Sequence, residues 1–226
     1  MLSAKVPWNL KAVAAIHILR LAVGLALVRV LYPVFFTVTP NVVEVTDRLV
    51  VILLVIWTIH RYQGSLSDLG FSLKSPVRNI LVGVAAGMIL LAVSIFSERL
   101  YTTMLFVTPS QHPLITQVQR AVNWRDLIAP LFLAGIAAPV AEEVMYRMFT
   151  FLPLKDRWGL WGGAISSSAI FALMHFNAYW LAEMMVVGTG LALLYYYTGS
   201  LLSSIVAHSF INSSKIIMLF IGIPLT

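Results

Sequence analysis

Six polar side chains in the apolar second half of the chain have the types and spacing that could carry out chemistry. They are Glu142, Glu143 and Arg147 in one apolar stretch, His175 at the end of the next, and His208 and Asn212 in a third. An ionisable group in hydrocarbon costs roughly 2.5–3.5 kcal/mol on insertion scales. Such residues therefore predict internal partners, bound water or a functional role.

The spacing assigns these side chains to helix faces. Glu143 and Arg147 are four residues apart, so they share one face and can form an ion pair. Glu142 is rotated about 100° from Glu143 and is free to face another helix. His208 and Asn212 are also four apart. Alternatively, these residues could have purely structural roles. Glu143 and Arg147 would be an ion pair, Glu142 a pore-lining acid and His175 an interfacial residue, and the polar side chains of the third stretch would form an interhelical hydrogen bond.

The combination of groups points to the activation of water. A carboxylate, two imidazoles and an amide on three separate apolar stretches indicate a shared, dry cavity. Glu142 would take a proton from water, and His175 would share it. His208 and Asn212 would hold the carbonyl oxygen as charge develops on it. We expect Phe171, one helical turn before His175, to wall the imidazole.

The elements that position these residues are predicted to be transmembrane helices. Of the 226 residues, 60% are hydrophobic and only 11% are charged, against about 25% charged in soluble domains. Since a spanning helix needs roughly 20 apolar residues, we predict an all-α, polytopic transmembrane helical bundle of about seven spans, with six to eight tolerable, and a single integral membrane domain over 1–226. The predicted spans are 12–32, 49–59, 80–96, 127–152, 160–176, 179–197 and 201–223, with an amphipathic interfacial helix at 114–124.

Composition excludes several classes of function. The chain has no cysteine, which rules out disulfides, thiolate metal sites and a cysteine nucleophile. Its net charge of +6 comes largely from short loops and suits orientation against a lipid bilayer rather than nucleic acid. Lys5 and Lys11 predict a cytoplasmic N-terminus. Basic residues are enriched in cytoplasmic loops, and their distribution along the chain also gives the side of the membrane on which each span ends. It places the His175 end of the predicted site toward the outer face but places His208 toward the cytoplasm.

Three motifs resemble those of the CAAX protease and bacteriocin-processing (CPBP) family, which is related to the type II CAAX prenyl endopeptidases. Glu142, Glu143 and Arg147 match Glu-Glu-x-x-x-Arg. Phe171 and His175 match Phe-x-x-x-His, and His208 and Asn212 match His-x-x-x-Asn. The resemblance covers about residues 127–214, which would form the catalytic core. One departure is Met148, where the family often has glycine.

This resemblance implies an endopeptidase of the bacterial inner membrane that cleaves a membrane-anchored protein or peptide. It implies Glu142 as base, with His175, His208 and Asn212 as further catalytic residues and Glu143, Arg147 and Phe171 in support. The family has been described as metalloproteases, and Glu142, His175 and His208 could supply three zinc ligands. The His-Glu-x-x-His signature is absent, so we favour activation of water without a required cofactor.

Two other functions are compatible with the sequence. A noncatalytic membrane scaffold or partner subunit could keep a relict site with these residues. A proton-coupled transporter would also carry intramembrane acids and histidines, but transporters show inverted repeats and broken helices in both halves. Here the motif-like polar residues lie only in the second half. The sequence indicates no oligomeric state.

Overall fold

A computed structural model describes residues 6–67, 69–71, 74–106 and 113–223, and these residues form helices and connecting turns without any strand. The predicted all-α fold class is therefore confirmed. The α-helices are α1 Leu10–Ala26, α2 Pro40–Arg61, α3 Pro76–Leu105, α4 Pro113–Gln119, α5 Ile128–Phe132, α6 Ala138–Glu142, α7 Leu152–Leu173, α8 Leu181–Thr198 and α9 Leu201–Phe220.

Wide π-helical turns join several of these helices. They are Leu27–Leu31 after α1, Leu133–Ala137 between α5 and α6, and Glu143–Phe151 between α6 and α7. The run from Trp124 to Leu173 is consequently helical apart from one bend, at Gly159, and carries Glu142 near its middle. π-helical turns occur mostly as insertions in α-helices and are frequent at functional sites.

The long run folds back on itself at Gly159, which has φ 73° and ψ 178°. Glycine has no Cβ and adopts this positive φ without steric strain. After the bend the backbone of Gly163 returns against Lys155, because a Cβ at that position would lie 2.5 Å from the Lys155 nitrogen. The predicted fourth and fifth spans are thus two arms of one helical hairpin.

Four helical stretches among the described residues are long and apolar enough to cross a membrane: Leu10–Val34, Pro76–Leu105, Trp124–Leu173 and Leu201–Phe220. α2 and α8 coincide with two further predicted spans, but α2 carries three charged residues near its start and α8 carries Glu183 and three tyrosines. The count of seven membrane crossings therefore stays a prediction. The outer faces are apolar, with Ile18, Leu53 and Leu81 each more than 60% exposed.

The interior contains charged groups instead, as in a protein dissolved in lipid. Every residue of the π-helical segment Glu143–Phe151 is buried, and α9 packs against both α3 and the helices that precede this segment. The predicted amphipathic helix at 114–124 is shorter than expected: α4 ends at Gln119, and its Val118 is buried in a cluster with Ile216 of α9. Together the fold is that of an integral membrane protein.

Candidate active site

Glu142 lies between two imidazoles that come from other helices. Its Oε1 is 3.8 Å from Nε2 of His175, just beyond the end of α7. Its Oε2 is 3.7 Å from Nε2 of His208 in α9. The side chains of Glu142 and His175 are 13% and 26% exposed, whereas that of His208 is 6% exposed. The structure therefore brings three of the four predicted catalytic residues together at a partly exposed place.

Hydrogen bonds on the far side of each ring fix how the imidazoles face Glu142. Nδ1 of His175 lies 2.7 Å from the Phe171 carbonyl oxygen, and Nδ1 of His208 lies 2.9 Å from Glu143 Oε1. A carbonyl and a carboxylate only accept, so each Nδ1 donates and each Nε2 faces Glu142. Separations of 3.7–3.8 Å are too long for direct hydrogen bonds. They are short enough for a carboxylate oxygen and an Nε2 to bond to the same water.

The residues expected to act in support form the floor of this arrangement. Arg147 Nε lies 3.2 Å from Glu143 Oε2, which is the ion pair that the four-residue spacing predicted. The guanidinium carbon of Arg147 lies 4.8 Å from the centre of the Phe171 ring. That ring in turn makes edge contacts with His175 at 4.7 Å and with His208 at 6.0 Å. One buried cation thus supports both imidazoles, through Glu143 on one side and Phe171 on the other.

Asn212 makes a different contact, because its Nδ2 donates to the backbone carbonyl of Ala134 at 2.8 Å. That carbonyl lies in a π-helical turn. The N–H of Ala138 bonds to Leu133, and the next residue, Pro139, has no N–H to give. Asn212 therefore satisfies a carbonyl that the backbone leaves open. The contribution of Asn212 to an oxyanion site stays a prediction. The second N–H of its side-chain amide is not used by the bond to Ala134 and could donate to an oxyanion.

Sequence reasoning missed a set of charged residues that α1 and α2 bring to Glu142. Arg48 NH2 lies 3.9 Å from Glu142 Oε1 and 2.5 Å from Glu44 Oε2. Asp47 accepts from Arg48 at 3.1 Å and from both ends of the Arg20 fork at 2.8 Å. The signal was present, since Arg20 falls inside an apolar stretch and Glu44 and Arg48 are four residues apart.

The same Arg20 connects this set to the π-helical segment after Glu142, because its NH1 donates to the Tyr146 hydroxyl at 2.8 Å. A further tie lies deeper, where Trp8 donates from Nε1 to the Phe149 carbonyl at 2.9 Å. The α-helical partner of that carbonyl would be Pro153, which again has no N–H. The first two helices are thereby fixed against the run that carries Glu142.

Zinc is the metal that the family resemblance implies, and a carboxylate with two imidazoles has suitable donor types. Two ligands of one tetrahedral zinc ion lie roughly 3.4 Å apart, whereas the oxygens of Glu142 lie 3.7 and 3.8 Å from His208 and His175. Within the described part of the chain, no three His, Cys, Asp or Glu side chains are grouped so as to hold a metal ion. The arrangement does not fit a zinc site, and we derive no step through a metal.

Comparison with known proteins gives one family. Residues 124–214 match the sequence model described as type II CAAX prenyl endopeptidase Rce1-like. No curated protein and no solved structure matches the chain. The matched segment begins at the helical run that holds Glu142 and contains all three motifs and every predicted site residue. Residues 124–214 are therefore similar to the Rce1-like family of type II CAAX prenyl endopeptidases.

Proposed function

We propose that this protein is an intramembrane endopeptidase that hydrolyses a peptide bond of a membrane-anchored protein or peptide. The observation that supports it most is Glu142, a carboxylate within 4 Å of two imidazole nitrogens that both face it. A carboxylate and an imidazole that share one water are a general base able to form a nucleophile beside a carbonyl carbon. The family match supports the same class of reaction.

In the proposed reaction, water held between Glu142 and His175 loses a proton to this pair while its oxygen attacks the carbonyl carbon. The carbonyl oxygen becomes an oxyanion, which His208 stabilises from Nε2 and Asn212 from its remaining N–H. The C–N bond then breaks, and the proton passes to the departing nitrogen. The products are a carboxylic acid and an amine, and Glu142 returns to its starting state.

The surroundings of the imidazoles suit these roles. Phe171 gives His175 one fixed acceptor through its carbonyl, so that the ring orientation is set before substrate binds. Glu143 does the same for His208, because its carboxylate accepts from Nδ1 at 2.9 Å. Such preorganised donors usually account for a large part of catalysis.

The location of the protein is part of the proposal. We propose that it lies in the bacterial inner membrane with its N-terminus in the cytoplasm and the mouth of the site, near His175, toward the outer face. Accessibility labels placed at Asn177 measure this orientation in whole cells. A label at Asn177 that reacts only from the cytoplasm overturns the outward-facing site.

Proteolysis is tested by comparing wild type with Glu142→Gln in the same membranes and identifying new peptide termini by mass spectrometry. Asp156→Asn is the matched control, because it removes a carboxylate at the bend, where Asp156 pairs with Lys155 at 3.2 Å. We expect termini that appear with wild type and the control but not with Glu142→Gln. The same comparison with a chelator tests the predicted metal-independence.

If folded wild type and folded Glu142→Gln give identical termini with native membrane proteins present, the endopeptidase proposal fails. The noncatalytic scaffold would then be the better description. If the chelator abolishes the Glu142-dependent termini, activity requires a metal, and the water-activation scheme must be replaced by one that includes it.

A further inference from the structure

Arg48 is a charged residue beside the site that lies outside the family-matched segment. It belongs to α2, whereas the match begins at residue 124. Its guanidinium is 3.9 Å from Glu142, closer than any other cation that the structure describes around this carboxylate apart from the two imidazoles. The side chain of Arg48 is 19% exposed, so the interaction is only partly screened by solvent.

Two carboxylates on the same helix hold Arg48 at this distance. Glu44, one turn earlier, forms an ion pair with NH2 of Arg48, and the neighbouring Asp47 accepts a hydrogen bond from NH1. The orientation of the Asp47 side chain is itself fixed, because Arg20 donates hydrogen bonds to both of its carboxylate oxygens at 2.8 Å. The guanidinium is thus pulled toward α2 and away from Glu142.

A comparison of Arg48 with Arg20 shows that the arrangement around Arg48 avoids a direct, bidentate ion pair with Glu142. Arg20 and Asp47 form a bidentate pair, which occupies both carboxylate oxygens. A pair of that kind at Glu142 would block the oxygen that must accept a proton from water and would make the carboxylate a poor base. At 3.9 Å the guanidinium of Arg48 stays beside Glu142 but leaves both carboxylate oxygens open to water.

We propose that Arg48 is a positioning residue for the general base, and that Glu44 and Asp47 keep it from pairing directly with Glu142. This rests on the proposed endopeptidase function, since it assigns Arg48 a role through Glu142. α2 is therefore part of the active protease, although the family-matched segment lies wholly after it.

The experiment measures kcat and KM for the full chain reconstituted in phosphatidylethanolamine and phosphatidylglycerol vesicles. The probe is a fluorophore-quencher peptide that spans a Glu142-dependent cleavage site found in the terminus comparison. For Arg48→Gln we expect kcat to fall about 10- to 100-fold with KM within about twofold. Arg48→Lys recovers part of the loss because it restores the charge without the fork. Arg61→Gln, which removes the same charge from the exposed far end of α2, has no effect.

Glu44→Gln separates this role from a structural one. It frees Arg48 to pair with Glu142, so kcat falls, but adding Glu44→Gln to Arg48→Gln causes no further loss. A structural role for the Glu44–Arg48 pair gives equal losses in thermal stability and no recovery with lysine. An unchanged kcat for folded Arg48→Gln, or losses that simply add, overturns the proposal while the endopeptidase function stands. Equal activity of wild type and Glu142→Gln overturns both.

Discussion

Two clusters of charged side chains lie inside the bundle, and they differ in how completely their polar atoms are paired. In one, Lys215 Nζ lies 2.8 Å from Glu98 Oε2 and 2.8 Å from Glu183 Oε1. In the other, Glu142 lies 3.7 and 3.8 Å from its two nearest imidazole nitrogens and 3.9 Å from the nearest guanidinium. The members of the first cluster are paired at hydrogen-bond distance, whereas the members of the second cluster are not.

The difference distinguishes a structural cluster from the one that we propose is chemical. Lys215 joins α3, α8 and α9, and Ser94 completes the cluster by donating to Glu183 at 2.7 Å. Removing one partner from such a set leaves a buried charge uncompensated. Around Glu142 the carboxylate oxygens lack close donors, although every neighbouring side chain is fixed by a bond on its far side. Groups that are held rigidly but left unsatisfied suit binding and catalysis.

The largest expected effect is on the chemical cluster. His175→Asn should lower the rate of peptide cleavage by about 10²- to 10⁴-fold, because the water loses the base that shares its proton. Stability should change by less than about 1 kcal/mol, since the side chain is partly exposed. The measurement is cleavage of the reporter peptide together with thermal unfolding. The matched control is His60→Asn, at an exposed position on α2, and activity that survives loss of His175 would contradict the assignment.

The next largest effect is expected at the structural cluster, where stability should fall and activity should not. Lys215→Met should lower the free energy of unfolding by about 3–5 kcal/mol, since the buried Glu98 and the partly buried Glu183 both lose their cation. Activity per folded molecule should be unchanged. Chemical denaturation in detergent measures the first quantity and active-site-normalised cleavage the second.

The control for this variant replaces all three charges, as Glu98→Leu, Glu183→Leu and Lys215→Met. An apolar replacement of a whole buried ionic cluster is often neutral or stabilising, so this triple variant should recover the loss. If the triple variant folds but is inactive, the Lys215 cluster has a role in the chemistry and is not purely structural.

The smallest effect tests whether the interface that carries the structural cluster is tightly packed. A Cβ at Gly83 of α3 would lie 2.8 Å from the Ser203 carbonyl oxygen of α9. Gly83→Ala should therefore destabilise the protein by about 1–3 kcal/mol. Gly24→Ala in α1 meets nothing within 4 Å and should instead stabilise it by roughly 0.5–1 kcal/mol. Equal effects of the two substitutions on thermal unfolding would show that α3 and α9 are not in close contact.

The sequence was sufficient for what depends on spacing within one helix. The four-residue separation predicted the Glu143–Arg147 pair and left Glu142 to face elsewhere, as the structure has it. The all-α class followed from apolar stretches of spanning length. These features are local, because helix geometry alone relates the side chains.

Contacts between helices could not be predicted in the same way. Nothing in the spacing of Arg20 or Arg48 says which neighbouring helix they face, so their approach to Asp47 and Glu142 had to be observed. Asn212 shows a second limit. Its bond to Ala134 depends on a π-helical turn, which changes the register of backbone pairs and leaves no simple periodic pattern.

That turn has an evolutionary consequence. A π-helical turn holds one residue more than an α-helix needs, and Pro139 places the resulting open carbonyl opposite Asn212. Deleting any single residue within Leu133–Ala137 would remove this extra residue, so the helix could close into α-register while the segments on either side keep their orientation relative to Glu142. Single-residue deletions here should therefore be tolerated better during evolution than deletions in the α-helical parts of the same run, which would rotate everything before them by about 100° relative to Glu142.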